Sequence, residues 1–310
     1  GRGRLELGEP GRTRHELSNG QEWPRFKGRR EMSARRGRRR VLIGVATDAV
    51  EVLASLAVAQ FVTLPTWLPQ LKPASAEALA FGGLWAFLLD AALVGIVLAF
   101  VIDAFAPPQD LPWKPLRLDD PPGLATAVKF HRAASDPVLC REVLDAGGVD
   151  FTDEPDRLTG DCPLTNTLRL RGGVTPLAPA APVMTCPVAL SYAFWDRHVL
   201  NPAAEAVMET EVARVEHYGV FSCRNVYGRS EGRRSEHASA NALDVAAIVL
   251  EDGQRLSVIG DFNDDNDGGT LMRAMRTGAC DYFRAVLSPD YNAAHADHLH
   301  LDYGRFGICR

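Results

Sequence analysis

Residues 242–260 read ALDVAAIVLEDGQRLSVIG, and this stretch carries a regular strand pattern in the second half of the chain. Two apolar runs, at 242–250 and 254–260, flank the pair Asp252-Gly253, which favours a tight turn between antiparallel strands. The sequence therefore predicts a β-hairpin at this place.

A helix is expected directly upstream, over residues 201–218 (NPAAEAVMETEVARVEHY). Asn201 can cap its first turn, Pro202 fits the first helical position, and Gly219 is a natural stop.

Further elements complete the predicted domain over residues 124–310. Residues 124–146 and 269–287 are expected to hold helices, and residues 298–303 a strand. The mixture predicts an α+β fold, a small antiparallel sheet with flanking helices, preceded by N-terminal membrane segments.

Residues 41–106 form the predicted membrane region. Residues 79–105 are apolar over a length that can span a bilayer, with Asp90 as the internal charge. Residues 41–63 carry two acidic side chains and leave three interpretations open: an interfacial helix, the apolar core of a signal peptide, or a second span.

The flanks of this region are polar or proline-rich. Residues 25–40 carry nine Lys or Arg against one Glu, so the net charge of -5 leaves -13 for the rest of the chain. Such a run can bind nucleic acid, but its position before apolar segments favours a flank retained in the cytoplasm, so we expect a lipid bilayer and no nucleic acid as partner. Residues 1–40 are expected to be disordered, and residues 107–123 (PPQDLPWKPLRLDDPPG) to form an extended linker.

All the cysteines follow residue 106, and none forms a CxxC pair. They are Cys140, Cys162, Cys186, Cys223, Cys280 and Cys309. This even number is typical of disulfides in an oxidising compartment. One span after a cytoplasmic arginine run exports the domain, whereas two spans return it to the cytoplasm, so the cysteines favour a single anchor.

Half of the eight histidines lie between residues 237 and 300. The first, His237, precedes Asp244 by seven residues. On one helix these two would be about 10 Å apart, so joint metal ligation requires a loop followed by a strand.

The other three histidines lie within the stretch HADHLHLDY of residues 295–303. Alternation along a strand places His298, His300 and Asp302 on one face and apolar residues on the other. Two imidazoles and one carboxylate suit Zn²⁺ and leave a fourth position for water, whose pKa then falls towards 7. A histidine outside the ligand set can move a proton.

Residues 235–244 (SEHASANALD) resemble the Ser-x-His-x-x-Gly-x-Ala-x-Asp motif of zinc D-alanyl-D-alanine carboxypeptidases and penicillin-insensitive murein endopeptidases, with Ala240 in place of the glycine. The resemblance implies that His237, Asp244 and His300 hold the zinc. It also implies that His295 and His298 act beside the metal.

A second resemblance covers roughly residues 108–310. SEHASANALDV, VLSPDYNAAHADHLHLD and the pairs Cys186-Pro187 and Cys223-Arg224 are similar to the bacterial extensin-like C-terminal domain family. This resemblance implies a fold more strongly than it implies an activity.

Two further residues are candidates near the motif. Arg224 can anchor a substrate carboxylate through its planar guanidinium, or equally form a structural salt bridge. Ser235 is expected to fix a metal ligand by hydrogen bonding rather than to act as a nucleophile.

The resulting prediction is a zinc hydrolase of cell-wall (peptidoglycan) peptides with one Zn²⁺ per chain, anchored in the bacterial inner membrane with its soluble domain in the periplasm. The alternative is a catalytically silent cell-wall-binding or scaffolding module that keeps the zinc for folding.

Overall fold

The computed structural model describes residues 76–310, with side chains from Leu84 onward. The predictions for residues 1–40 and 41–63 lie outside the described residues. Residues Leu88–Arg310 form one compact unit.

Helix α1, Ala76–Phe105, is 30 residues long and covers the predicted span. Its segment Leu84–Phe105 is long and apolar enough to cross a membrane, and none of it is buried. It is therefore not a core helix of the domain that follows. Its length and composition fit a membrane anchor or a signal sequence.

The domain contains both helices and strands. Its helices are α2 (Thr126–Ser135), α3 (Pro137–Ala146), α4 (Cys186–Trp195), α5 (Asn201–Met208), α6 (Val258–Asp261) and α7 (Asp267–Ala279). Its strands are β1 (Asp150–Asp153), β2 (Thr167–Gly172), β3 (Leu177–Ala178), β4 (Val183–Thr185), β5 (Val212–Gly219), β6 (Ala242–Leu250), β7 (Arg255–Ser257), β8 (Ala285–Leu287), β9 (Leu299–Asp302) and β10 (Ile308–Cys309).

The strands form two sheets, which confirms the α+β class and corrects the expectation of one small antiparallel sheet. A three-stranded sheet has the order β1-β2-β4, and a seven-stranded sheet has the order β10-β8-β9-β6-β5-β3, with β7 also paired to β6. The larger sheet is antiparallel in its centre, but its outer pairs β3–β5 and β8–β10 are parallel.

Strand β6 is the centre of the larger sheet, and all nine of its residues are buried. It pairs antiparallel with β5 on one side and with β9 and β7 on the other. The β6–β7 pairing confirms the predicted hairpin, and Gly253 in its turn has a φ of +90°, which a glycine adopts without strain. A strand covered on both faces reads as a nearly continuous apolar run, and β6 is apolar except for Asp244.

The core surrounds helix α4, whose residues from Val188 to Trp195 are all buried. Its polar atoms have partners: the Trp195 indole donates to the Met275 carbonyl at 3.0 Å, and the Tyr192 hydroxyl donates to the Thr175 carbonyl at 2.7 Å. These bonds offset the desolvation of two large aromatic side chains and fix α4 against its neighbours.

The helix predicted over residues 201–218 was wrong in its second half. The helix ends at Met208, and β5 begins at Val212. Helix-favouring composition continues to residue 218, but β5 satisfies its backbone groups by pairing with β6 along its length. Tertiary pairing therefore overrides local propensity. Asn201 is no cap, because α4, a π-helical turn and α5 run on without a break.

The helix expected within residues 124–146 is two helices. They are separated at Asp136-Pro137, where the Asp136 carboxylate accepts hydrogen bonds from the amides of Val138 and Leu139. Proline cannot continue α2 but fits the first turn of α3, and the aspartate caps that turn.

The proline-rich stretch of residues 107–123 lacks α-helix, as expected, but it packs on the domain instead of hanging free as a linker. Leu111, Leu116 and Leu118 are buried. The buried Lys129 ammonium donates to the Pro108 carbonyl at 2.9 Å. Prolines prevent a helix there, while the intervening leucines supply apolar area to bury.

Three disulfides confirm the prediction from the cysteine count. They join Cys140 to Cys186, Cys162 to Cys223 and Cys280 to Cys309. The first ties α3 to α4, and the last ties the end of α7 to β10, so each links segments distant in sequence and restricts the unfolded chain.

Candidate metal centre

Two strands bring Asp244 and His300 together. Strands β6 and β9 pair antiparallel with Asp244 directly opposite His300. Opposite residues on one face of a sheet lie about 5 Å apart, so this register alone makes them neighbours. The other face of β9 is apolar, with Leu299 and Leu301 fully buried, which confirms the predicted alternation.

His237 reaches the same place from a short 3₁₀ turn, Glu236–Ser239. The Ser235 hydroxyl accepts a hydrogen bond from the His237 amide at 3.4 Å and so caps that turn. Ala240 follows in the left-handed region, with a φ of +54°, and redirects the chain into β6. Ser235 thus acts on the backbone of the ligand-bearing turn rather than on a ligand side chain.

The three predicted ligands form one buried cluster whose ligand atoms all lie within 4.8 Å of one another. The His237 Nε2 atom is 3.1 Å from Asp244 Oδ2 and 3.2 Å from His300 Nδ1. The His300 Nδ1 atom is 2.8 Å from Asp244 Oδ1. The side chains are only 3 %, 12 % and 12 % exposed for His237, Asp244 and His300.

Both imidazoles are oriented by a partner on their far side. The His237 Nδ1–H group donates to the Val220 carbonyl at 2.9 Å. The His300 Nε2–H group donates to the Asp302 carboxylate at 3.0 Å. These bonds leave His237 Nε2 and His300 Nδ1 facing the centre of the cluster, which is how outer partners prepare histidines as metal ligands.

The cluster has strongly shifted protonation equilibria. Burial raises the pKa of Asp244, but hydrogen bonds from His237 and His300 outweigh that effect and hold the pKa well below its usual range. Burial lowers the pKa of His300, but hydrogen bonds to Asp244 and Asp302 outweigh it and raise that pKa to about 9. A carboxylate that stays ionised is what a cation site requires.

The donor set could hold a metal ion. One carboxylate oxygen and two imidazole nitrogens converge, and residues 84–310 supply no fourth ligand to the cluster, a set typical of sites that keep one position open. His237, Asp244 and His300 are therefore the residues that would hold the ion.

His298 and His295 lie beside the cluster and outside it. The His298 Nε2 atom is 3.6 Å from Asp244 Oδ1, while its Nδ1–H group donates to Asp297 at 2.8 Å. The ring centroids of His295 and His298 are 5.3 Å apart. The structure thus brings all four histidines of the sequence prediction to one site.

His295 is held in its neutral form. Burial, followed by the positive potential of His300 and His298, lowers the pKa of His295 to about 4. The His295 Nδ1–H group donates to the Asn292 side-chain oxygen at 2.8 Å. The Nε2 atom of His295 takes no part in this hydrogen bond.

The cluster opens into a cleft of about 600 Å³, which we call the metal cleft. Asp244, His295, His298 and His300 line it together with Arg224 and Ser235. Arg224 is exposed, and in the described part of the chain no carboxylate pairs with its guanidinium. Arg224 therefore forms no salt bridge within the described residues. Its side chain is free to contact a ligand.

Sequence reasoning assigned no role to Asp302, Asp297 or Asn292. Each had a local signal, because Asp302 shares the strand face of His300, Asp297 adjoins His298 and Asn292 precedes His295 by one turn. The Val220 carbonyl left no signal, since a backbone atom 17 residues before its partner carries no residue type to recognise.

Comparison with known proteins supplies the family. No curated protein and no solved structure matches the chain. The family described as Extensin-like protein C-terminus matches residues 138–310, which include every residue of the metal cluster. Because this match covers more than half of the chain, the protein belongs to the extensin-like C-terminal family.

Proposed function

We propose that the domain is a zinc-dependent hydrolase of cell-wall peptides. The observation that carries the proposal is the buried cluster of His237, Asp244 and His300, in which outer hydrogen bonds already orient both imidazoles. A site built only to hold the fold together closes its coordination with protein groups, whereas this set ends at three ligands and faces a cleft.

A zinc ion at this place supplies Lewis acidity, which polarises a substrate carbonyl and makes water a better nucleophile at neutral pH. The chain itself must then bind the peptide and move protons at the scissile amide.

His298 is the residue that we assign to proton transfer. The Asp297 carboxylate accepts a hydrogen bond from the His298 Nδ1–H group and thereby fixes the tautomer of His298. In this tautomer the Nε2 lone pair of His298 points towards the Asp244 side of the cleft. A base in this position can take a proton from water and return it to the departing amine. Asp297 positions His298 and also stabilises the imidazolium that forms.

His295 complements His298 because burial lowers the pKa of His295 and so favours its neutral form. Its bond to Asn292 fixes the ring, and its Nε2 atom is then free to accept a hydrogen bond from water or from the substrate amine. Neither histidine is needed to hold the metal, which separates their chemistry from that of the ligands.

A cell-wall peptide is the substrate class that the motif resemblance suggests, and the cleft suits such a chain. It is open enough to admit a peptide, and Arg224 at its edge can anchor a carboxylate. The apolar helix α1 and the three disulfides support an anchored domain on the periplasmic side of the inner membrane.

The test is digestion of purified cross-linked muropeptides by the zinc-loaded full-length protein in detergent, followed by mass spectrometry. We expect products that carry one added water per cleaved amide. His298→Ala should retain zinc and lower turnover by roughly 10²- to 10⁴-fold, as loss of a general acid or base does.

His131→Ala is the matched control, because His131 is exposed on α2 and lines no part of the metal cleft. Equal rates for wild type and His298→Ala would remove His298 from the mechanism. A fully zinc-loaded wild type that cleaves no cell-wall peptide would favour the cell-wall-binding module.

A further inference from the structure

A second cavity of about 570 Å³ lies beside the metal cleft and is lined by several arginines. Its guanidinium groups belong to Arg233, Arg234, Arg284 and Arg305, and its carboxylate belongs to Glu236. We call this cavity the arginine pocket. Four positive charges against one negative charge give it a strongly anion-attracting potential.

The two cavities are adjacent, because five residues contribute to the lining of both. These residues are Arg233, Glu236, Gly304, Arg305 and Phe306. The link extends to the metal cluster: the Gly304 amide donates to Asp302 at 2.8 Å, and the other oxygen of Asp302 accepts from His300. The arginine pocket therefore borders the metal cleft and is linked through Asp302 to the metal cluster.

The protein neutralises only part of this charge. Arg233 lies 3.5 Å from Glu236, and the other Glu236 oxygen is occupied by the Asn241 amide at 3.0 Å. Arg234 pairs at 3.7 Å with Asp161, a side chain that is 86 % exposed. Such long, exposed pairs contribute little to stability.

Arg284 and Arg305 have no carboxylate partner among residues 84–310. The Arg284 guanidinium lies 6.0 Å from the centre of the Tyr303 ring, and both arginines are exposed. Neither side chain contributes to the buried core. Their exposed guanidinium groups are therefore available to pair with an anionic ligand.

We infer that the arginine pocket binds an oxyanion, a carboxylate or a phosphate, on a ligand whose other part enters the metal cleft. The inference rests on the proposed function and sharpens its substrate class. The hydrolase would act on a peptide that carries a further acidic group beyond the scissile amide, and Arg284 and Arg305 would recognise that group.

The test compares binding of three end-labelled tetrapeptides to the zinc-loaded full-length protein, followed by fluorescence anisotropy. The peptides are tetraglutamate, a phosphoserine peptide of equal length and neutral tetraglutamine. We expect both acidic peptides to bind and the neutral one to fail. The ratio of the two acidic affinities then shows which oxyanion the pocket prefers.

The double variant Arg284→Gln with Arg305→Gln should weaken the acidic peptides by at least roughly tenfold, because charge-assisted hydrogen bonds are lost. Arg132→Gln with Arg171→Gln removes the same charge at exposed sites that line neither cavity, and it should change the affinity less than twofold. Both double variants should keep their zinc and the wild-type melting temperature.

Equal weakening in the two double variants would overturn the inference, since the effect would then come from net charge alone. Tight binding of tetraglutamine would overturn it too. The binding measurement needs no turnover. If wild type binds acidic peptides through Arg284 and Arg305 but cleaves no muropeptide, the proposed hydrolase function is contradicted. The anion-binding role of the arginine pocket then still holds.

Discussion

At the level of single residues, the geometry of the metal cluster depends on atoms that do not face its centre. His237 is oriented by the Val220 carbonyl and His300 by the Asp302 carboxylate. Each imidazole therefore presents a defined nitrogen before any ion arrives, which reduces the rotational freedom that binding would otherwise remove.

The first prediction follows from the Asp302 bond. Asp302→Asn should weaken zinc binding by about 10- to 100-fold, because a neutral amide supports the His300 imidazole less than a carboxylate does. Competition with a calibrated zinc chelator measures the affinity. Asp297→Asn is the control, because Asp297 contacts His298 and none of the three metal-ligand residues. This variant should leave the zinc affinity unchanged. Equal affinities for wild type and Asp302→Asn would show that Asp302 is no support for the ligand.

The ligand residues were predictable from sequence because their types and spacing are distinctive, and the motif resemblance selects among the histidines. Their partners were less predictable. Ser235 was expected to fix a metal ligand by hydrogen bonding, and it does so at the backbone of His237 rather than at its imidazole, because it caps the turn that carries His237. The distinction depends on the backbone path between Ser235 and His237, which residue types do not define.

At the scale of elements, the site is produced by one register and one turn. The β6–β9 pairing sets Asp244 opposite His300, and the turn Glu236–Ser239 with Ala240 brings His237 to them. A slip of one residue in β9 would move His300 to the core face, so the apolar Leu299 and Leu301 protect the site as well as the fold.

A second prediction concerns Ala240, which stands where the resembling peptidase motif has glycine. Ala240→Gly should keep zinc affinity and shift stability by no more than about 1 kcal/mol, because relief of left-handed strain offsets the loss of a buried methyl group. Ala240→Val should cost more than about 2 kcal/mol, since a branched side chain at a φ of +54° is strained and has no space at a fully buried position.

Denaturant unfolding and chelator competition on the same samples check both Ala240 variants. Ala240→Val should also lose zinc affinity, because the turn bearing His237 shifts against β6. A valine variant with wild-type stability and zinc affinity would contradict the importance of this turn.

Helices and strands were predicted correctly where the residues that determine them are close together in the sequence. The hairpin was correct because its turn and its two apolar runs are contiguous in sequence. Residues 212–218 were wrongly predicted as helix because their partner, β6, lies some 30 residues further on and supplies the hydrogen bonds that decide their conformation.

At the scale of the whole molecule, long-range contacts fix the surroundings of the site. The Cys162–Cys223 disulfide fastens the segment before Arg224 to a distant loop, and residues 107–123 pack on the domain through buried leucines. The arginine pocket likewise collects side chains from separate segments. No spacing rule predicts it, because only the folded chain brings Arg234, Arg284 and Arg305 together.

A third prediction tests the compartment. Thiol labelling of denatured, unreduced full-length protein should find no free thiol, since all six cysteines are paired. A reporter fused after Arg310 should be active on the periplasmic side, because stable structural disulfides form in oxidising compartments. Six free thiols together with a cytoplasmic reporter would contradict the single-anchor topology.

Elemental analysis of the full-length protein tests whether His237, Asp244 and His300 form a zinc centre. Wild type should contain about one zinc per chain, and Asp244→Ala should contain almost none, because it removes the charged ligand that both imidazoles face. Asp261→Ala is the matched control, since Asp261 caps a turn by accepting from the Ser257 amide and should leave the zinc in place. Full zinc occupancy in a folded Asp244→Ala protein would contradict the account.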